Sequence, residues 1–504
     1  MENDDNVFES LQELITRANN GKVEAQLDLA VKYLNGQDVE QNYQEAAFWF
    51  LKAADEGDPD ALNDLGNMYK FGMYFDPDID KANELYRRSS EAGGSVGKLN
   101  YGRYLLDSSS TEQEIKKAVN LIASAADQGL AEAQVKLGLM FIEGKYVDVN
   151  YDQAFIYFNN AAVLGDAEGL NCLGLCFAHG HGCEKSHEIA NNLFFTAAEK
   201  GSAQAQYNLA WSYQNGLEIE RDIEAAFDLF TMAAEQNHSG AICILGQMYE
   251  AGTNHCPQDI VKAAQLYTKA AELGDIFAEY NLGVFYQYGI GVTIDIPLSA
   301  MYLARAASKN HPSANLNLGL LYQEGIDGSP DYSKAMFCFE RAAELGHLKA
   351  AGCIGFLWLN GSGVIKDTEK ALEYMEIGAT SGEVTTQYNL GLLYRGNCDV
   401  PKNLKKAIYW LEKAALQEFA AAQIELGIIL LEGNGVAVNG VAAVKWIYLG
   451  HVNGDKRGDD LISYCKNKLP AEEIEEGYKQ AQLHLACLDS KRILLSSEQV
   501  GLMH

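Results

Sequence analysis

The feature that most restricts the fold of this chain is a block of 36 residues that recurs twelve times. Counted from a small residue near the start of each block, ten intervals are 36 residues long and one is 37. The copies begin at Ala25, Ala61, Gly97, Ala133, Gly169, Ala205, Ala241, Ala278, Ala314, Ala350, Thr386 and Ala422. Such a period indicates stacked supersecondary units. A chain of 504 residues therefore does not have to divide into several globular cores.

Each block carries two apolar stripes with helical spacing. In the second block the first stripe consists of Ala61, Leu65 and Tyr69, which lie four residues apart and therefore on one helix face. This stripe ends at Gly72, where a left-handed helix cap is favourable. Asp78, which can cap a helix N-terminus, precedes the second stripe. Each block is therefore predicted to form two helices joined by a short turn.

Neither helix can bury its stripe alone, so neighbouring pairs must stack. The pattern predicts an all-α fold, a right-handed α-α superhelical solenoid of helix-turn-helix repeats. We expect a capping helix that forms a half repeat in 1–20, twelve tandem repeats in 21–457, a second half repeat and capping helix in 458–490, and a flexible tail in 491–504. The third block lacks the loop glycine, and its Ser108 to Thr111 segment indicates a lengthened turn capped by Thr111 and Glu114, with a phosphorylation site as the alternative.

Charge and cysteine usage restrict the partners and the compartment. Acidic residues outnumber basic ones by 69 to 39, which gives a net charge of −30. Such a chain repels nucleic acid and favours a protein partner with a basic face. The acidic start is unlike a signal peptide, no apolar run could span a bilayer, and the ten cysteines do not follow the repeat. We therefore expect a cytoplasmic protein without membrane insertion; export by a route without a signal peptide is the alternative.

The repeat resembles a known family. Leu-Gly, an aromatic, Gly-x-Gly-Val, Asp, Ala, an aromatic and Ala-Ala in a 36-residue frame look like the Sel-one-like repeat, a relative of the tetratricopeptide repeat. The segments Ala205 to Ala234 and Ala314 to Ala343 match this pattern well. The resemblance implies a scaffold or adaptor that assembles complexes in signalling, membrane-protein quality control or the contact of bacteria with host cells.

The resemblance also implies where a partner binds. In tetratricopeptide relatives the first helices line a groove, and an Asn one residue before the conserved Leu binds the backbone of a peptide. Here that position gives Asn100, Asn208, Asn281, Asn317 and Asn389, and Trp211 and Tyr288 lie on or near the same side. Amides can both donate to and accept from an extended peptide, and Trp and Tyr are frequent at binding hot spots. The alternatives are that the amides bond a neighbouring turn and that the rings fill gaps between repeats.

A second hypothesis concerns metal or redox chemistry. Cys172, Cys176, His179, His181, Cys183 and His187 supply six soft ligands between 172 and 187, enough in number for a zinc site. The repeat frame instead places Cys176 in the core and the histidines in or beside a loop. The sequence contains no phosphate-binding glycine loop and no nucleophile elbow. We therefore predict a non-enzymatic protein that needs no cofactor.

Overall fold

The computed structural model describes residues 10–108, 111–253, 256–397, 400–433 and 436–501, and within this part of the chain the regular structure is entirely helical. The chain divides into two compact units, Met1–His238 and Ser239–His504. The helices of unit 1 are α1 (Leu11–Asn19), α2 (Val23–Asn35), α3 (Tyr43–Asp55), α4 (Pro59–Phe71), α5 (Ile79–Glu91), α6 (Ser95–Ser108), α7 (Glu112–Asp127), α8 (Ala131–Glu143), α9 (Tyr151–Val163), α10 (Ala167–His179), α11 (His187–Glu199), α12 (Ala203–Asn215) and α13 (Ile223–Glu235).

Unit 2 continues the same alternation of helices. Its helices are α14 (Ser239–Ala251), α15 (Ile260–Glu272), α16 (Ile276–Tyr288), α17 (Ile296–Ser308), α18 (Pro312–Glu324), α19 (Tyr332–Glu344), α20 (Leu348–Asn360), α21 (Thr368–Thr380), α22 (Val384–Leu392), α23 (Leu404–Leu416), α24 (Ala420–Glu432), α25 (Gly440–Val452), α26 (Gly458–Lys468) and α27 (Ala471–Gly501). A π-helical turn, Leu393–Asn397, follows α22. No described helix is both long and apolar enough to cross a bilayer.

Each predicted repeat is a packed pair of helices. The even-numbered helices α2 to α24 are here called first helices, and the odd-numbered helices α3 to α25 second helices. Within each unit a first helix packs on its own second helix, and the second helix packs on the next first helix. The predicted small residues allow this close packing: a Cβ added at Gly138 of α8 would lie 2.5 Å from the buried Phe158 ring of α9. The predicted α solenoid of helix-turn-helix repeats is confirmed.

The predicted caps of the second helices are present. Asn42, for example, accepts hydrogen bonds from the backbone nitrogens of Gln44 and Glu45. In the third repeat Thr111 is the cap, with its hydroxyl accepting from Glu114 N and donating to the Glu114 carboxylate. The rest of the predicted turn, at 109 and 110, lies outside the described residues. Short-range side-chain chemistry thus determines where these helices begin.

The second helices end in left-handed residues, as the sequence indicates. Asn237 and Asn310 replace the usual glycine with φ of 62° and 64°. The structure adds Glu418, which takes the same conformation with φ of 63° in the eleventh repeat. The repeat frame therefore imposes the left-handed turn even where the sequence offers no glycine or asparagine.

Helices also occupy both ends of the described chain. α1 begins after Ser10, which forms a capping box with Glu13, and residues 1–9 of the predicted first half repeat lie outside the described residues. α26 covers the residues of the predicted last half repeat. α27 continues to Gly501, so the backbone is helical between 491 and 501, where we expected a loose tail. The capping roles and the flexibility of the tail stay predictions.

A histidine cap makes the stability of unit 2 sensitive to pH. His311 Nδ1 accepts a hydrogen bond from Ala314 N at the start of α18, and the ring stacks on Tyr280. Burial lowers the pKa of His311, and the nearby His347 lowers it further. The folded state therefore favours the neutral imidazole of His311. Its contribution to the free energy of unfolding is complete above the unfolded-state pKa of about 6.5 and is lost as the pH falls below that pKa.

We expect the free energy of unfolding of unit 2 to decrease between pH 7 and pH 5. The His311→Asn variant keeps a capping acceptor but does not titrate, so it should reduce this decrease by at most about 1.4 kcal/mol per pH unit. Urea unfolding followed across this pH range measures the effect. Identical pH profiles of the variant and the wild-type protein would contradict the assignment.

Candidate functional site

The first helix α12 differs in charge from the chain that surrounds it. It carries no Asp, Glu, Lys or Arg, although the whole chain has a net charge of −30. Asn208 is half-buried in this helix, and the Trp211 side chain is 42% exposed. A large aromatic side chain on an uncharged helix is a suitable anchor for a partner.

Two of the predicted asparagines bond to the preceding repeat. Asn208 Nδ2 donates to Asn171 Oδ1 at 2.8 Å, and Asn100 Nδ2 donates to Asn63 Oδ1 at the same distance. Each bond joins a first helix to the preceding first helix in unit 1. One amide N–H of Asn208 and one of Asn100 are therefore used within the fold, and the Asn208 Oδ1 also accepts a hydrogen bond from Gln204 Nε2 at 3.3 Å. The second N–H of each amide and the remaining lone pairs are those that a ligand could use.

Asn208 and Trp211 line one cavity of about 300 Å³, the Trp211 cavity. It lies between α10, α11 and α12, and its other walls are Leu175, Ala178, His179, His187, Phe194, Tyr207, Ser212 and Leu217. These walls contain aromatic and aliphatic groups, two imidazoles and few other polar atoms. The cavity has the size and lining of a pocket for an apolar side chain.

Asn100 lines a second cavity of about 390 Å³, the Asn83 cavity, between α4, α5 and α6. Its other walls are Lys70, Ile79, Ala82, Asn83, Tyr86, Arg103, Tyr104, Asp107 and Ser108. Asn100 and Arg103 correspond in the repeat frame to Asn208 and Trp211, three repeats later. The two cavities therefore occupy equivalent places in the fold but have different chemistry.

The predicted residues of unit 2 are more dispersed. Asn281, Asn317 and Asn389 are half-buried on α16, α18 and α22, and Tyr288 is 64% exposed at the end of α16. A cavity of about 590 Å³ in this unit lies among the hairpin loops, beside residues such as Tyr332, and contains none of these four side chains. Their role in binding stays a prediction.

The cysteine and histidine residues between 172 and 187 do not converge. Cys172 and Cys176 are buried in the core, where burial raises the pKa of Cys176 to about 12 and that of Cys172 further. His181 stacks on Tyr151, with 4.3 Å between ring centroids. No group of three described His, Cys, Asp or Glu residues is placed to hold a metal ion. Thiols held protonated by burial are also poor nucleophiles, so the metal or redox alternative is not supported.

Several cavity residues were missed by the sequence reasoning. Lys70 and Arg103 correspond in the repeat frame to Ala178 and Trp211 of the Trp211 cavity, but a basic residue at these positions resembles an ordinary solvated side chain. The available signal was the frame itself, because Arg103 stands three repeats before Trp211. Superposing the repeats, instead of searching only for asparagines, would have identified Arg103 as a cavity residue.

Comparisons with known proteins agree with this architecture. The Sel1 repeat family model matches twelve segments, residues 23–58, 59–94, 95–130, 131–166, 167–202, 203–238, 239–275, 276–311, 312–347, 354–383, 385–419 and 420–449. A similar solved structure is a protective antigen present in uropathogenic Escherichia coli strains, displaying an SLR fold; it is 25% identical, the match covers 95% of each chain, and the TM-score is 0.65.

A Sel1 repeat protein from Oxalobacter formigenes is 29% identical over 49% of this chain and 96% of its own, with a TM-score of 0.42. No curated protein matches the chain significantly.

Proposed function

Because the chain belongs to the Sel1 repeat family, we propose that it is a non-catalytic scaffold that binds an extended peptide segment of a partner protein along its first helices. Repeat proteins of this kind generally act as protein-interaction scaffolds, and stacked first helices offer a continuous surface to an extended chain. The similarity to a protective antigen of uropathogenic Escherichia coli makes a bacterium–host complex one setting for this role.

The Trp211 cavity carries the proposal. It joins an exposed indole, a half-buried amide at Asn208 and a concave apolar space of about 300 Å³ on an uncharged helix. An apolar side chain of the peptide fills this space, and the Asn208 amide bonds the peptide backbone. The same binding mode extends in unit 2 to Asn281, Tyr288, Asn317 and Asn389.

We propose a cytoplasmic location, with export by a route without a signal peptide as the alternative. The nine described cysteines are free, and six of them are buried. Unpaired thiols are typical of a reducing compartment. An acidic chain in that compartment also attracts partners with a basic face.

Replacing Trp211 tests the scaffold proposal. A peptide selected by phage display on the full chain is expected to bind Trp211→Ala at least tenfold more weakly, because the indole wall of the cavity is lost. Isothermal titration calorimetry measures the affinity. Phe195→Ala is the matched control, because Phe195 is a 51% exposed aromatic of unit 1 on the second helix α11 and is not part of the cavity. Equal affinities of the selected peptides for both variants and for wild type would refute the proposed site.

A further inference from the structure

The second helices α9, α11 and α13 of unit 1 expose an apolar side. Each helix buries one stripe in the unit, as α9 does with Ala154 and Phe158. The opposite, exposed side of the three helices is here called the outer face. Its apolar residues are between 44% and 78% exposed: Ile156, Val163, Ile189, Phe195 and Met232. Exposed apolar side chains grouped in this way are typical of an interaction surface.

The charges of these three helices are all negative at neutral pH. α9, α11 and α13 contain no Lys or Arg, whereas every other second helix contains at least one. Their acids are Asp152, Glu188, Glu199, Glu224, Asp228 and Glu235. Five of these six lie in the first or last turn of a helix, so carboxylates border both ends of the apolar residues. Lys185, Lys200 and Arg221 lie just beyond the helix ends, and each is next to an acid in the sequence.

The outer face thus has an apolar centre and an acidic border, and this border selects the occupant. A second copy of the chain is a poor occupant, because pairing two outer faces brings carboxylates against carboxylates in chains of net charge −30. A partner with an apolar centre and cations around it is complementary in both respects. Such a match of charges raises the association rate and specificity.

The geometry favours a helix as the form of this partner. Ile156, Phe195 and Met232 lie on three successive second helices; α9 and α11 both pack on α10, and α11 and α13 both pack on α12. Helices in one layer lie about 10 Å apart, so this apolar row is on the order of 20 Å long. An α-helix of about 13 residues has this length. It also satisfies its own backbone groups, which an extended chain on apolar side chains does not.

We propose that the outer face binds a basic amphipathic helix of a partner protein. Ile156, Phe195 and Met232 contact the apolar stripe of this helix, and the bordering carboxylates contact its Lys and Arg residues. The surface lies on second helices, so the inference goes beyond the proposed peptide binding along the first helices and does not depend on it.

Fluorescence anisotropy with designed peptides and the full chain tests the proposal. The probe is a blocked 18-residue peptide of Leu and Lys whose leucines share one helix face. One control peptide has the same composition in an order that disperses the leucines around the helix, and a second has Glu in place of Lys. We expect saturable binding of the probe and at least tenfold weaker binding of both control peptides.

An exposed aromatic on another second helix provides a matched control for the apolar centre. Phe195→Ala is expected to weaken binding of the probe at least tenfold, because Phe195 lies in the middle of the apolar row. Phe337→Ala makes the same change at a 63% exposed residue on α19 of unit 2 and should leave binding unchanged. Both side chains are exposed, so both variants should fold, and circular dichroism checks this. Equal binding by the two variants and wild type would overturn the proposal.

A pair of double variants with equal net charge tests the acidic border. Glu199→Gln with Glu235→Gln is expected to weaken binding of the probe at least threefold and to reduce its salt dependence. Glu340→Gln with Glu373→Gln removes the same charge from exposed positions on α19 and α21 and should have a smaller effect. Equal losses in both double variants would mean that the probe responds only to the overall charge of the chain, which would overturn the proposed site.

Two further measurements separate this inference from its alternatives. Phe195→Ala should weaken the helical probe and Trp211→Ala the display-selected extended peptides, so either surface can fail without the other. Sedimentation velocity of the chain alone tests the second copy as occupant. A dimer of the wild-type chain that Phe195→Ala dissociates would show that the outer face is a self-association surface, and the proposal would be wrong.

Discussion

Replacing Arg305 and Lys309 together by methionine is expected to lower the local unfolding free energy of α16 and α17 by about 3–5 kcal/mol at pH 7. Glu279 on α16 is fully buried, and its two oxygens lie 2.7 Å from Arg305 Nη2 and 2.9 Å from Lys309 Nζ. Both cations also donate to backbone carbonyls at the end of α15, of Ala271 and Gly274. Without them the Glu279 carboxylate is buried with no compensating charge, and this is costly in a medium of low dielectric constant.

Native-state hydrogen exchange of the α16 and α17 amides measures this effect, because it reports opening of the local unit rather than of the whole repeat array. Adding Glu279→Gln to the double variant is the matched control. It removes the charge but retains the shape, and it should restore most of the lost protection. If the triple variant exchanges as fast as the double variant, the loss comes from packing of the long side chains and not from the buried charge.

Phe158→Ala in α9 is expected to lower the unfolding free energy of the α8 and α9 pair by about 3–5 kcal/mol. The ring is 2% exposed and fills the space above Gly138, so truncation leaves a cavity that the glycine cannot close. Ile156→Ala on the same helix is the control, because Ile156 is 47% exposed and its loss should cost less than about 1 kcal/mol.

Hydrogen exchange of α8 and α9, with a urea unfolding curve of the full chain, measures both variants. Similar losses for Phe158→Ala and Ile156→Ala would mean that the contact between Gly138 and Phe158 does not support the repeat. If a further Gly138→Leu change in the Phe158→Ala variant restored the unfolding free energy, the lost side-chain volume would be the cause of the destabilisation.

The candidate site was predicted only in part. The sequence frame placed Asn208 and Trp211 on one side of a first helix, and the structure brings them into one cavity with His179 and His187 from the preceding repeat. That the Asn208 amide binds a peptide stays a prediction; within the fold its Nδ2 donates to Asn171 Oδ1 and its Oδ1 accepts from Gln204 Nε2.

The sequence by itself determined the helices, their caps and their order, and the Sel1 repeat family follows from that frame. Those features depend on groups within a few residues of each other, such as Asn42 with the amides of Gln44 and Glu45, or a glycine with its own φ. Only the tertiary structure decided that Trp211 and Arg103 line equivalent cavities of different chemistry. Such contacts join side chains about one repeat apart, so they depend on how neighbouring helix pairs stack, which no local pattern specifies.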